Sequence, residues 1–115
     1  MQRALGLLPL PTKPPGSRLA FRILYHPKVK SHDIPRLAVA VRRSIKRAIE
    51  TRLMVEPHKY GIPLRRTLKG YWKLRVGDYR VVFTVEDGDV FVLVICHRKD
   101  VYEKAGDRSH APGGD

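Results

Sequence analysis

The chain has 115 residues and a formal net charge of +12, from 23 lysines and arginines against 11 aspartates and glutamates. The length suits one domain, and an apolar fraction of 43% excludes a wholly disordered chain. The cation excess points to a polyanionic partner whose condensed counterions leave on binding: nucleic acid first, an acidic protein second, an anionic membrane third.

Residues 1–18 carry four of the nine prolines, Pro9, Pro11, Pro14 and Pro15, and read as a flexible Pro-rich arm. Its first eleven residues make a poor signal peptide, because Gly6, Pro9 and Pro11 interrupt a short apolar run. The ordered domain is expected over residues 19–105, with 106–115 as a disordered tail. Residues 19–25 read as a first strand, stopped by Pro27, with a short helical turn around 27–33. Asp33-Ile34-Pro35 resembles a helix start with Asp33 as N-cap. Leu37, Val41, Ile45, Ala48, Ile49 and Leu53 then recur at helical spacing, while Arg42, Arg43, Lys46, Arg47 and Glu50 occupy the other face. Pro57, Gly61 and Pro63 end the helical region.

Three strands follow, over residues 71–76, 79–86 and 90–96. Gly77-Asp78 predicts a type II′ hairpin turn and Asp87-Gly88 a type I′ turn. Residues 99–105 read as a short terminal helix. The order is β-α-α-β-β-β-(α). It predicts an α+β domain with a small antiparallel sheet of about four strands and two N-terminal helices packed on one face.

Two-residue turns set the parity of the sheet. Arg75 then lies opposite Arg80, with Tyr71, Lys73 and Val82 on the same face. Trp72, Leu74, Val76, Tyr79, Val81, Phe83 and Val85 form the other face, which suits the helical stripe. The second turn pairs Arg80 with Ile95 and places His97 at the end of the arginine face. Like charges directly opposite one another destabilise a sheet by roughly 0.2–1 kcal/mol. An anionic ligand would relieve that repulsion, although long cationic stems covering a solvated sheet are the ordinary alternative. Arg98 and Lys99 add charge beside this face, and Tyr102 can stack on a base or exchange a proton. His97 is either a proton acceptor or a strand-end histidine satisfied by backbone.

Metal or cofactor chemistry is not expected. His26, His32, His58, His97 and His110 have no recognised ligand spacing. Cys96 is the only cysteine, so no internal disulfide exists, and a reducing cytoplasm is the expected compartment. Gly77 and Gly88 belong to hairpins, which leaves no phosphate-binding loop. The chain contains no apolar run of the roughly 18 residues that a membrane span needs, so no membrane partner is expected.

Three stretches carry a resemblance. They are Leu68-Lys69-Gly70, residues 72–83 and residues 97–102, and the Leu-Arg-Val-Gly-Asp-Tyr-Arg run over 74–80 is the most specific. Together they resemble the RelE family of toxin–antitoxin systems, over about residues 20–105. The resemblance implies a toxin that enters the ribosomal A site and cleaves mRNA without metal or cofactor. It also implies a cognate antitoxin that wraps and blocks it. The chemistry implied is attack by a ribose 2′-hydroxyl on the adjacent phosphorus.

Carried over residue by residue, the resemblance assigns catalytic roles to Lys73, Arg80, Arg98 and Tyr102. Lys69, Arg75, His97, Lys99, Arg43, Lys46 and Arg47 are the expected RNA-binding residues. The chain departs from the pattern at Tyr71, where some members carry a lysine; Lys69 is the substitute on the preceding loop. Two rivals remain: a ParE-like toxin of the same fold that poisons DNA gyrase, and a non-catalytic RNA-binding module.

Overall fold

A computed structural model describes residues 20–109. The expected arm over residues 1–18 lies outside the described residues. Strand β1 (Arg22–Tyr25) leads into a helical turn over Val29–Asp33 and Ile34–Arg36. Helix α1 (Val39–Ala48) continues through a wider turn, Ile49–Leu53, and is followed by the single-turn α2 (Pro57–Tyr60). Strand β2 (Ile62–Pro63) and a turn at Arg66–Leu68 precede β3 (Trp72–Val76), β4 (Tyr79–Glu86) and β5 (Asp89–His97). A turn, Arg98–Asp100, opens helix α3 (Val101–Ser109).

The sheet has five strands in the order β1-β5-β4-β3-β2. It is mixed: β1 runs parallel to β5, while the other pairs are antiparallel. The expected sheet of about four antiparallel strands is corrected by that parallel pair and by the two-residue β2.

The helical stripe packs where its periodicity predicts. Leu37, Ile45, Ala48, Ile49 and Leu53 are buried against Leu74, Val81, Phe83, Val90, Val92 and Ile95, with Trp72, Val76, Tyr79 and Val85 at the margin. An isolated ten-residue helix is marginal in water, and α1 has no side-chain cap. Burial therefore holds it, at about 1.5–3 kcal/mol per fully buried large aliphatic side chain. At Gly61 the chain passes so close to the core that an added Cβ would stand 2.7 Å from Phe83 Cζ and 2.9 Å from the Pro57 carbonyl.

A second cluster covers part of the other face. Leu64 and Leu68 from the loop, and Val101 and Ala105 from α3, close over Val82, Leu93, Val94 and Cys96. The arginine face is thus partly covered, while Arg75 beside the β3–β4 turn stays exposed.

Several sequence expectations are corrected. Asp33 does not cap α1, whose N-cap is Ala38; its buried carboxylate instead accepts the Ile95 N–H and binds Arg108. Pro57 does not merely end a helix but begins α2. Helix α3 runs to Ser109, so 106–109 belong to the fold and not to a tail; residues 110–115 lie outside the described residues. Gly77 takes φ +59°, as the first turn demands, but in the second turn the left-handed φ falls on Asp87 (+56°) and not on Gly88, so that turn is not type I′.

The largest correction is a β-bulge. Val82 pairs with Val94 but Phe83 pairs with Val92, leaving Leu93 as an extra residue. Arg80 therefore faces Cys96 instead of Ile95, and His97 pairs with Tyr79. By parity His97 moves to the face opposite the arginines.

Candidate functional site

The two-residue turn at Gly77-Asp78 places Arg75 directly opposite Arg80, as the sequence predicts. Arg80 is buried, at 8% exposure. Its Nη1 donates to the carbonyls of Gly77 (2.9 Å) and Tyr79 (2.7 Å). These bonds fold the side chain over the hairpin and use one of its three nitrogens, so Nε and Nη2 meet no acceptor among the described residues. Burial lowers the Arg80 pKa, and the charges of Arg75 and Arg98 lower it further, against partial relief from Asp78. The three arginines therefore act on one another as a cluster.

Arg98 enters from the turn after β5. Its N–H donates to the Asp78 carbonyl at 2.8 Å, which ties the turn to the hairpin. Its Nε lies 3.8 Å from Asp78 Oδ1, with both side chains largely exposed. An ion pair of that kind contributes no more than about 1 kcal/mol and leaves the guanidinium free to meet an anion.

Lys73 lies on the same face, pairing with Val82 and Ile62. It stands one rung, roughly 7 Å, from Arg75, and is half-buried without a hydrogen bond or ion pair among the described residues. Tyr102 lies one helical turn beyond Arg98 and is exposed. Its hydroxyl accepts the Arg65 N–H at 3.2 Å, so the phenolic proton itself remains available to donate.

The remaining candidates separate. Lys69 and Lys99 are exposed on loops bordering this face. His97 lies outside it: its Nδ1 accepts the Lys99 N–H at 3.2 Å and its ring meets Tyr79 edge-on at 5.7 Å. The backbone-satisfied reading of that histidine fits these contacts. Arg43, Lys46 and Arg47 lie on α1, across the sheet from Arg80. Lys46 is engaged by Glu50 at 3.1 Å.

Arg65 and Asp78 are the participants that sequence reasoning missed. Asp78 was legible only as a turn residue, and nothing local in the Arg65-Arg66 pair shows that it meets a tyrosine 37 residues later. Among the described residues no group of three or more His, Cys, Asp or Glu side chains is arranged to hold a metal ion. No helix among them is long and apolar enough to cross a membrane.

Comparisons with known proteins bear on the fold and the family. Toxin RelE of Mycobacterium tuberculosis is 35% identical over 65 residues, which cover 56% of this chain and 67% of that protein. The toxin–antitoxin complex RelBE2 from Mycobacterium tuberculosis contains a similar chain, with a TM-score of 0.64 and 26% identity over 69% of this chain and 99% of that one. A free-state arginine variant of Escherichia coli toxin RelE shares the fold, with a TM-score of 0.59 at 23% identity, covering 77% of this chain and 97% of its own. Residues 23–102 match the family described as ParE toxin of type II toxin-antitoxin system, parDE. The chain therefore belongs to the RelE/ParE family of toxins of type II toxin–antitoxin systems.

Proposed function

We propose that this toxin is a metal-independent endoribonuclease that cleaves mRNA on the ribosome, stops translation in the cytoplasm and is restrained by a cognate antitoxin. The observation that carries this reading is the buried Arg80 guanidinium. It lies beside Arg75 and Arg98 with two nitrogens unengaged and with only the exposed Asp78 to offset the charge. The antitoxin is supported by the similar chain in the RelBE2 toxin–antitoxin complex.

Cleavage then proceeds by attack of the ribose 2′-oxygen on the adjacent phosphorus. The P–O5′ bond breaks, leaving a 2′,3′-cyclic phosphate and a 5′-hydroxyl. Arg80, Arg98 and Lys73 stabilise the phosphorane, which carries more negative charge than the diester, so their attraction is stronger in the transition state than in the ground state. The Tyr102 hydroxyl, fixed by Arg65, donates its proton to the leaving 5′-oxygen. Lys69, on the preceding loop, is the candidate base for the 2′ proton, so that Lys73 stays a cation at the phosphorane.

Primer extension on a translated message, in a purified translation system, tests this. Cleavage is expected within the message only while it is being translated. The family description favours one other reading, the ParE-like gyrase poison. That reading wins if expression stops DNA synthesis before protein synthesis and leaves gyrase-linked breaks. RNA binding without cleavage would instead identify a non-catalytic module.

A further inference from the structure

We infer that the groove between α1 and the β3–β4 hairpin is a second anion site, which takes the phosphate backbone of a folded RNA. The groove has a volume of about 340 Å³ and is lined by Arg43, Ser44, Arg47, Thr51 and Arg52 on the helical side and by Arg75 on the strand side. No carboxylate is among its lining residues. Arg43, Arg47 and Thr51 follow one another at i, i+4 and i+8, which aligns them in a row along the helix. Arg43 and Arg47 make no ion pair among the described residues, because the nearby Glu50 is engaged by Lys46. Arg52 is set over the Tyr60 ring at 5.8 Å, a contact that orients the guanidinium without neutralising it.

Arg75 joins this groove to the Arg80 face. Strand β2 pairs only with Trp72 and Lys73, so beyond it the edge of β3 is uncovered. Arg75 sits on that open stretch, opposite Arg80 in register and in the wall of the groove. Cations thus continue from Arg98 and Arg80, around the end of β3, to the row on α1. The planar guanidinium forks of the helical wall match phosphate oxygens, and the Ser44 hydroxyl suits a backbone bearing 2′-hydroxyls, while Thr51 Oγ1 donates to the Arg47 carbonyl at 2.8 Å and is left as an acceptor. An amphipathic partner helix needs apolar pockets. The groove offers only Ala48 and Val76, whereas a separate hollow bounded by Tyr25, Ile34, Leu37, Ile45 and Ile49 is apolar.

The inference deepens the RNA-directed reading above but does not require cleavage. Its test is the binding of a labelled RNA hairpin to the full chain, followed by fluorescence anisotropy across a salt series. Arg43→Glu/Arg47→Glu should weaken binding by roughly tenfold or more and flatten the salt dependence by about two phosphate contacts. Arg43→Gln/Arg47→Gln should show a smaller loss, and Arg43→Lys/Arg47→Lys should retain most of the affinity; thermal melts confirm folding. Unchanged RNA affinity in the Glu and Gln variants overturns the inference. So does an equal loss of affinity for a polyglutamate chain, which would make the groove a site for acidic polypeptide. Primer extension with the same proteins separates the two proposals. Wild-type protein that binds through these arginines but never cleaves leaves the groove standing and removes the nuclease. Normal cleavage and binding by the Glu variant does the reverse.

Discussion

Asp33 and Arg108 form a two-point ion pair at the free edge of β5: Nη1 lies 2.7 Å from Oδ2 and Nη2 3.2 Å from Oδ1. The carboxylate also accepts the Ile95 N–H at 2.9 Å, and the guanidinium donates to the Leu93 carbonyl at 3.2 Å. Strand β1 pairs with β5 only as far as Val92. Beyond that point these two side chains satisfy backbone groups that no strand reaches. They also tie the C-terminal helix to the first helical turn, 75 residues earlier.

Breaking this pair should be costly. Arg108→Ala leaves a buried carboxylate without its cation, and losses of about 3–5 kcal/mol accompany such a change. Truncation after Ala105 should cost about as much. The Asp33→Asn/Arg108→Ala double variant should lose less than the sum of the singles. Urea melts measure all four. A truncated chain as stable as the full one would show that the pair contributes nothing.

Arg80 and Arg98 should separate activity from stability. Removing either is expected to raise the cleavage barrier by about 2–4 kcal/mol, the usual cost of one lost charge-stabilising donor. Arg98→Ala should melt like wild type, because its ion pair is exposed. Arg80→Ala should also lose about 1–3 kcal/mol of stability, because the Gly77 and Tyr79 carbonyls lose their donor. Single-turnover cleavage on programmed ribosomes beside thermal melts checks both halves. Normal cleavage by Arg98→Ala would remove it from the site.

Tyr102→Phe deletes one oxygen from an exposed ring. Ribosome affinity and melting temperature should hold, while cleavage slows by roughly 10²–10⁴-fold if the hydroxyl supplies the leaving-group proton. A pH–rate profile distinguishes this from a packing role: the limb assigned to the acid should vanish in the variant. An unchanged rate would leave Tyr102 as a support for the Arg65 loop.

Cys96 offers a pH test of burial. Desolvation, with Asp100 and Asp33 nearby, pushes its thiol up to about 11. An unfolded cysteine ionises near pH 8.5–9, so the unfolded chain sheds the proton first as pH rises. The stability this provides is fully present below about pH 9 and is lost as pH climbs toward 11, on the order of 3 kcal/mol. Wild-type protein should therefore lose more unfolding free energy than Cys96→Ala between pH 8 and pH 10.5. Equal losses would show that the thiol titrates normally. Alkylation at pH 8 should likewise require unfolding.

What the sequence determined by itself is local. The 3.6-residue spacing from Leu37 to Leu53 identified the buried side of the helical region. The alternation through 72–76 and 79–85 identified the apolar sheet face. A two-residue glycine turn was enough to oppose Arg75 and Arg80. Each depends on residues close in the chain, where period and turn chemistry leave few choices. What only the tertiary structure decided involves remote partners. The parallel pairing of β1 with β5, the engagement of Asp33 by Arg108 instead of a helix cap, and the support of Tyr102 by Arg65 depend on packing between segments 37 to 75 residues apart. The extra residue at Leu93 shows the boundary most sharply. Val90 to Cys96 is apolar on both faces, so no alternation marks where the bulge falls. Only the need to fill two cores at once turns Leu93 and Val94 to the same side and carries His97 away from the arginines.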